Sequence, residues 1–182
     1  LGGTTNSSFD ASAIGSGYQG FDNFEKTGSS TWTLTGSASG ATPWTIKQGT
    51  LSITSDSSLG LPSVSLGHFV TMDGGALRFA TGVSGNRAFI LNAGGGTFDA
   101  FSGTSVLSGE ISGNGNLTKT GNGTIVLTGA SNYTGGTTIN GFGFFLLGDL
   151  ASRATIVGDI QNNAFFEIVN ASRTPEDADM AD

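Results

Sequence analysis

A chain of 182 residues can bury the core of one ordinary domain. Its seven Lys and Arg against fourteen acids give a net charge of −7 and a pI near 4.4, which argues against a nucleic-acid stripe or electrostatic docking on an anionic membrane. The absence of cysteine excludes disulfides and thiolate metal sites, and no apolar run approaches the length of a membrane span. Thirty-one glycines without a Gly-X-Y period exclude collagen, while regularly placed Val, Ile, Leu and Phe exclude simple disorder. Three prolines and 13 phenylalanines suit a chain of short paired strands with rings between layers. Leu1-Gly-Gly-Thr4 has neither a charged leader nor an apolar region, so an exported protein would carry this sequence as a processed or excised piece.

Residues 1–30 are the least patterned, with Phe9, Ile14, Tyr18, Phe21 and Phe24 as apolar anchors among Gly, Ser and Asn. Gly15-Ser-Gly-Tyr-Gln-Gly20 matches the dinucleotide fingerprint literally. The segment after it, Phe21 to Gly28, is too short and glycine-bounded to be the helix which that motif needs. From residue 31 strands become legible. Thr31-Trp-Thr-Leu-Thr35 alternates, with Trp32 and Leu34 on one face, and Trp44-Thr-Ile-Lys47 is the next strand.

A phrase then recurs: glycine, one residue, then apolar-x-apolar. It reads Gly49-Thr-Leu-Ser-Ile53, Gly75-Ala-Leu-Arg-Phe79, Gly96-Thr-Phe-Asp-Ala100 and Gly115-Asn-Leu-Thr-Lys119. It continues as Gly123-Thr-Ile-Val-Leu127 and Gly143-Phe-Phe-Leu-Leu147, and more weakly from Asn163 to Ile168. The steps from Gly49 are 26, 21 and 19 residues, and those from Gly123 are 20 and 20. A period near twenty without helical segments predicts an all-β solenoid, a parallel β-helix of about seven to nine coils. Leucine-rich repeats share the period but need a consensus this chain lacks, and a sandwich has no reason to repeat one phrase at one interval.

Gly115 and Gly123, eight residues apart, read as two successive faces of one coil. Leu61–Leu66 and Arg87–Leu91 are expected to be further second-face strands. Residues 1–170 form one unit, and the acidic, apolar-poor end, 171–182, is expected to be a disordered tail.

The stretch Gly123-Thr-Ile-Val-Leu-Thr-Gly-Ala-Ser-Asn-Tyr-Thr-Gly-Gly-Thr-Thr-Ile139 resembles the passenger-associated repeat of bacterial autotransporters, the type V secreted proteins. Its repeat positions are Gly123, Ile125, Leu127, Gly129, Asn132, Tyr133, Gly135, Gly136 and Ile139. Phe24–Gly36, Leu91–Asp99, Ile111–Gly121 and Ile156–Ile160 resemble the same passengers, so the likeness covers about residues 20–170. It departs from the family at Gly141-Phe-Gly-Phe-Phe-Leu-Leu147 and after Arg173.

The resemblance implies a right-handed, single-stranded parallel β-helix, exported through the outer membrane to the bacterial cell surface. The partner it implies is a C-terminal outer-membrane β-barrel of the same polypeptide, outside this sequence. Residues 110–170 would correspond to the autochaperone coils that seed folding. The function expected is a non-catalytic stalk, folding aid or adhesin scaffold of a virulence-type surface protein. A host or bacterial surface ligand, or lateral self-association, would complete that role.

The alternative is a β-helical polysaccharide enzyme working with surface carboxylates. Asp73, Asp99, Arg78 and Arg87 come from neighbouring coils, and alternation turns Arg78 and Asp99 outward. Glycoside chemistry needs two carboxyls about 5–9.5 Å apart, and this acid-poor stretch has no cluster. His68 is the only histidine, and no G-x-S-x-G elbow accompanies it, so it reads as a turn or surface residue. The calcium-loading repeat is absent because asparagine fills its turns, so no metal or cofactor is expected. Asn114, Asn116, Asn122, Asn132 and Asn140 are expected to cap corners or take left-handed backbone. Trp32, Phe79, Phe98, Phe144, Phe145 and Phe165 are expected inward or at a coil end. Tyr133, between turn residues, is expected to be exposed and within reach of a ligand.

Overall fold

A computed structural model describes residues 1–21, 23–62, 69–148 and 154–169. Its strands fall into three sheets, and every pairing between named strands is parallel. The first sheet has eight strands: β1 (Ser7–Asp10), β3 (Thr31–Thr35), β5 (Thr50–Ile53), β7 (Ala76–Phe79), β10 (Gly96–Ala100), β13 (Leu117–Thr120), β15 (Thr137–Ile139) and β17 (Ile160–Asn162). The second holds β8 (Ser84–Gly85), β11 (Thr104–Leu107), β14 (Thr124–Leu127), β16 (Phe144–Leu147) and β18 (Phe165–Ile168). The third holds β2 (Phe24–Lys26), β4 (Trp44–Ile46), β6 (Val70–Met72), β9 (Phe89–Leu91) and β12 (Ile111–Gly113). From β7 to β14 the chain takes the first, second and third sheets in turn, and it stacks as a parallel β-solenoid of about seven turns.

The two glycine series of the sequence are two different sheets. Gly49, Gly75, Gly96 and Gly115 open or precede first-sheet strands, while Gly123, Gly143 and Asn163 precede second-sheet strands. Residues shift by one coil between neighbours: Leu117 lies beside Thr137, and Ile125 beside Phe145. The 26-residue step runs from Thr50 to Ala76. In that coil a 3₁₀ turn, Asp56–Leu59, stands where later coils place a second-sheet strand. Arg87–Leu91 does not add to the second sheet; its strand, β9, belongs to the third. Leu61 and Pro62 lie in no strand, and the rest of Leu61–Leu66 falls outside the described residues, as do His68 and the tail 171–182.

Alternation within each strand builds the core. Leu51, Leu77 and Phe98 form one inward row of the first sheet, and Leu107, Leu127 and Leu147 one of the second, all nearly inaccessible to solvent. Phe79 and Phe89 both meet Phe98 edge-on, with ring centroids 5.6 and 4.9 Å away. Corners are tight. Gly121, between β13 and β14, has φ +81° and packs against the Ala100 carbonyl of the previous coil, so a Cβ would fit neither its backbone nor its space. Among the described residues only glycine takes positive φ. The expectation that asparagines adopt left-handed backbone is therefore corrected: adjacent Gly113, Gly121 and Gly141 take that conformation. The asparagines bond sideways instead, Asn132 to Glu110 at 2.8 Å and Asn163 to Asn140 at 3.0 Å, each across a coil.

Leu127→Asp would place a carboxylate between Leu107 and Leu147, and should cost several kcal/mol. Leu127→Ala should cost about 2–5 kcal/mol. Urea unfolding followed by circular dichroism checks both, and an unchanged midpoint would show that Leu127 is not a core residue.

Candidate functional site

Among the described residues, those with chemistry do not converge. Arg78 and Asp99 meet on the outer face of the first sheet, Nε to Oδ2 2.6 Å, with Phe101 stacked under the guanidinium at 5.2 Å. Asp73 serves a turn, accepting the Gly94 amide at 3.1 Å. Arg87 points inward, only 2% exposed, and binds Asp56 at 2.9 Å and the Gly60 carbonyl at 2.5 Å. It ties the 3₁₀ turn of one coil to the next. The four residues weighed as a polysaccharide-cleaving set are thus divided among a surface pair, a corner and a buried brace. No group of three His, Asp or Glu residues gathers as a metal set among the described residues.

Tyr133 is not a ligand contact; it is fully buried. Ser131 bridges to Ile111, so residues 131–133 run along β12 without being a strand of it. Alternation then turns Ser131 and Tyr133 inward. Tyr133 comes level with Gly113, whose carbonyl accepts from the Thr134 amide at 3.0 Å. Its hydroxyl shares a 2.5 Å hydrogen bond with Thr137 Oγ1, and burial pushes the phenol above its ordinary pKa. The other repeat positions lie as strand and corner residues do: Ile125, Leu127 and Ile139 in the core, and Gly123, Gly129, Gly135 and Gly136 in the connections.

Phe144 and Phe165 also differ from expectation, being 46% and 52% exposed. In Phe144-Phe-Leu-Leu147 the second phenylalanine takes the inward slot beside Ile125, which turns the first outward. The outer faces of the solenoid consequently differ. Thr97, Thr118 and Thr138 form an outward row on the first sheet, while Val106, Val126 and Leu146 form one on the second.

Two residues that the pattern passed over are the most unusual in the core. Lys26 and Lys119 are each 0% exposed. Lys26 Nζ donates to the carbonyls of Thr27 at 2.7 Å, Gly28 at 2.8 Å and, in the next coil, Gln48 at 3.0 Å. Lys119 stands in an inward row between Phe98 and Ile139 and donates to the Gly121 carbonyl at 3.0 Å. Burial lowers both ammonium pKa values, opposed at Lys119 by the Asp99 carboxylate. The signal was present in the sequence: Lys-Thr-Gly occurs twice, at Lys26 and Lys119, and Lys119 fills an apolar slot of its phrase.

Both corners lie within segments that match a known repeat. The model of the passenger-associated-transport-repeat matches residues 24–53 and 117–141, so each match opens two residues before a buried lysine. The chain is 39% identical over 161 residues, 88% of its length, to the adhesin BmaC autotransporter of Brucella suis biovar 1 (strain 1330). It spans about 5% of the length of that relative. No solved structure matches it. The repeat match and this identity together support an autotransporter passenger region.

Lys26→Met keeps the stem and strips three carbonyls of their donor, and should cost about 1–3 kcal/mol. Because folding lowers the Lys26 pKa, the folded chain holds fewer protons than the unfolded one between that lowered value and the ordinary 10.5. Wild-type stability relative to the variant should therefore rise with pH through that window and be flat below it. Urea midpoints of both chains at pH 7, 9 and 10.5 check this, and a constant difference would contradict it.

Proposed function

We propose that the chain is a non-catalytic stretch of passenger β-helix that supports folding and presentation of an adhesin at the bacterial cell surface. The observation that carries this reading is the uninterrupted stacking of coils built on two passenger-associated repeats. The dispersal of Asp73, Arg78, Arg87 and Asp99 supports a non-catalytic role. The partner is a C-terminal outer-membrane β-barrel of the same polypeptide, and the final adhesive contact is with a host or bacterial surface.

Physics suits the coils to this task. A chain delivered unfolded through a narrow pore must fold outside without a chemical fuel. Units that touch only their neighbours add one at a time onto a formed seed. The lack of cysteine leaves no disulfide to obstruct passage. Residues 110–170 act as that seed, and residues 1–170 are one folding unit.

Fusing the chain to an outer-membrane barrel and treating intact cells with protease tests the export role. Surface cleavage is expected, and retention inside the cell would reject it. Deleting residues 110–170 should slow or abolish refolding of the remainder in a dilution experiment. Refolding at the wild-type rate would reject the seed role.

A further inference from the structure

Three asparagines of this chain precede a glycine, Asn114, Asn122 and Asn140, and all three stand at coil corners between strands. Asparagine before glycine carries a latent reaction. The glycine amide nitrogen can close a five-membered ring onto the side-chain carbonyl, and no Cβ crowds its approach. The nitrogen must be free to leave its place in the hydrogen-bond network. At two of the corners it is held. The Gly115 amide donates to the Leu91 carbonyl at 3.0 Å and the Gly123 amide to the Ala100 carbonyl at 2.8 Å, each a bond to the preceding coil. At the third corner, no acceptor among the described residues takes the Gly141 amide. Gly141 is exposed and has φ +95°, and a Cβ there would collide with the Gly121 carbonyl.

Asn140 is held in the opposite way. Its own amide donates to the Lys119 carbonyl at 2.9 Å, so the backbone is fixed on one side of its Cα and open on the other. Its side chain reaches the next coil, where Oδ1 accepts from Asn163 Nδ2 at 3.0 Å. That donor draws electron density from Cγ. It also stands where negative charge gathers when a nucleophile adds to the carbonyl, as a donor of an oxyanion hole does. A free nucleophile and a polarised carbonyl thus meet at one corner, Asn140 to Gly143, which leads from β15 into β16.

We propose that Asn140 is a self-modification site, at which the chain cyclises and loses ammonia. The Gly141 nitrogen forms a bond to Asn140 Cγ, the Cγ–Nδ2 bond breaks, and ammonia leaves with the proton that the nitrogen gave up. Water then opens the succinimide at either carbonyl, leaving aspartate, or isoaspartate where the main chain runs through the former side chain. Nothing is oxidised or reduced, and water is the only co-reactant. The corner gains a negative charge, and the iso form adds a carbon to the main chain ahead of β16. The inference goes beyond the passenger reading and does not depend on it.

The folded chain, and a parallel sample unfolded in urea, are incubated at mildly alkaline pH and followed by peptide mass spectrometry, with enzymatic methylation to report isoaspartate. In the folded chain Asn140 should convert about tenfold or more faster than Asn114 and Asn122. In urea the three should converge, since each then has only its glycine neighbour in common. Asn163→Ala should slow Asn140 about tenfold in the folded chain and leave its rate in urea unchanged. A merely structural role for Asn163 would give the opposite sign, because a loosened corner converts faster. Equal rates at the three sites in the folded chain overturn the proposal, as does an Asn163→Ala variant whose folded rate is unchanged or raised.

Discussion

Everything in this molecule depends on the pairing of each strand with its equivalent one coil away. A single coil has no closed interior: its inward side chains are covered only when another coil lies above and another below. Parallel backbone hydrogen bonds set the displacement near twenty residues, and that displacement brings Leu107, Leu127 and Leu147 into one row. Packing and register are therefore a single constraint. A residue cannot leave its row without disturbing two neighbours.

The constraint explains how much could be read from the amino acids. Glycine followed by alternating apolar residues marks both a corner and an inward row, so the first and second sheets were visible as two series with nearly constant steps. The third sheet did not stand out as a series, although Trp44–Lys47 and Arg87–Leu91 read as strands, because its strands are three residues long and lack the leading glycine. Tyr133 was misplaced because neighbouring turn residues suggested a loop. What decides its direction is its alignment with β12, one coil away, set by the Ile111–Ser131 bridge. Phe144 was misplaced because four consecutive apolar residues do not reveal their own phase. The pairing with Ile125 reveals it.

The buried charges escaped for a different reason. Lysine normally signals solvent, and arginine beside an acid normally signals a surface pair. Arg78 and Asp99 follow that rule, whereas Arg87 and Lys26 do not, because backbone carbonyls at corners await donors. Coil corners carry peptide groups that lie outside the sheets. A long cationic side chain that reaches such carbonyls from within satisfies them while its methylene stem packs as an apolar residue.

The caged lysines have a further consequence, for how a repetitive chain keeps count. Rungs of similar shape can be mated in the wrong order, since one leucine row accepts another almost equally well. A mistaken pairing that carries Lys119 away from the Gly121 carbonyl would strand an ammonium between phenylalanine and isoleucine, a penalty of several kcal/mol. The lysine thus works as a notch in an otherwise uniform thread. Apolar rungs provide the adhesion between coils, and the occasional buried charge tells them where they are.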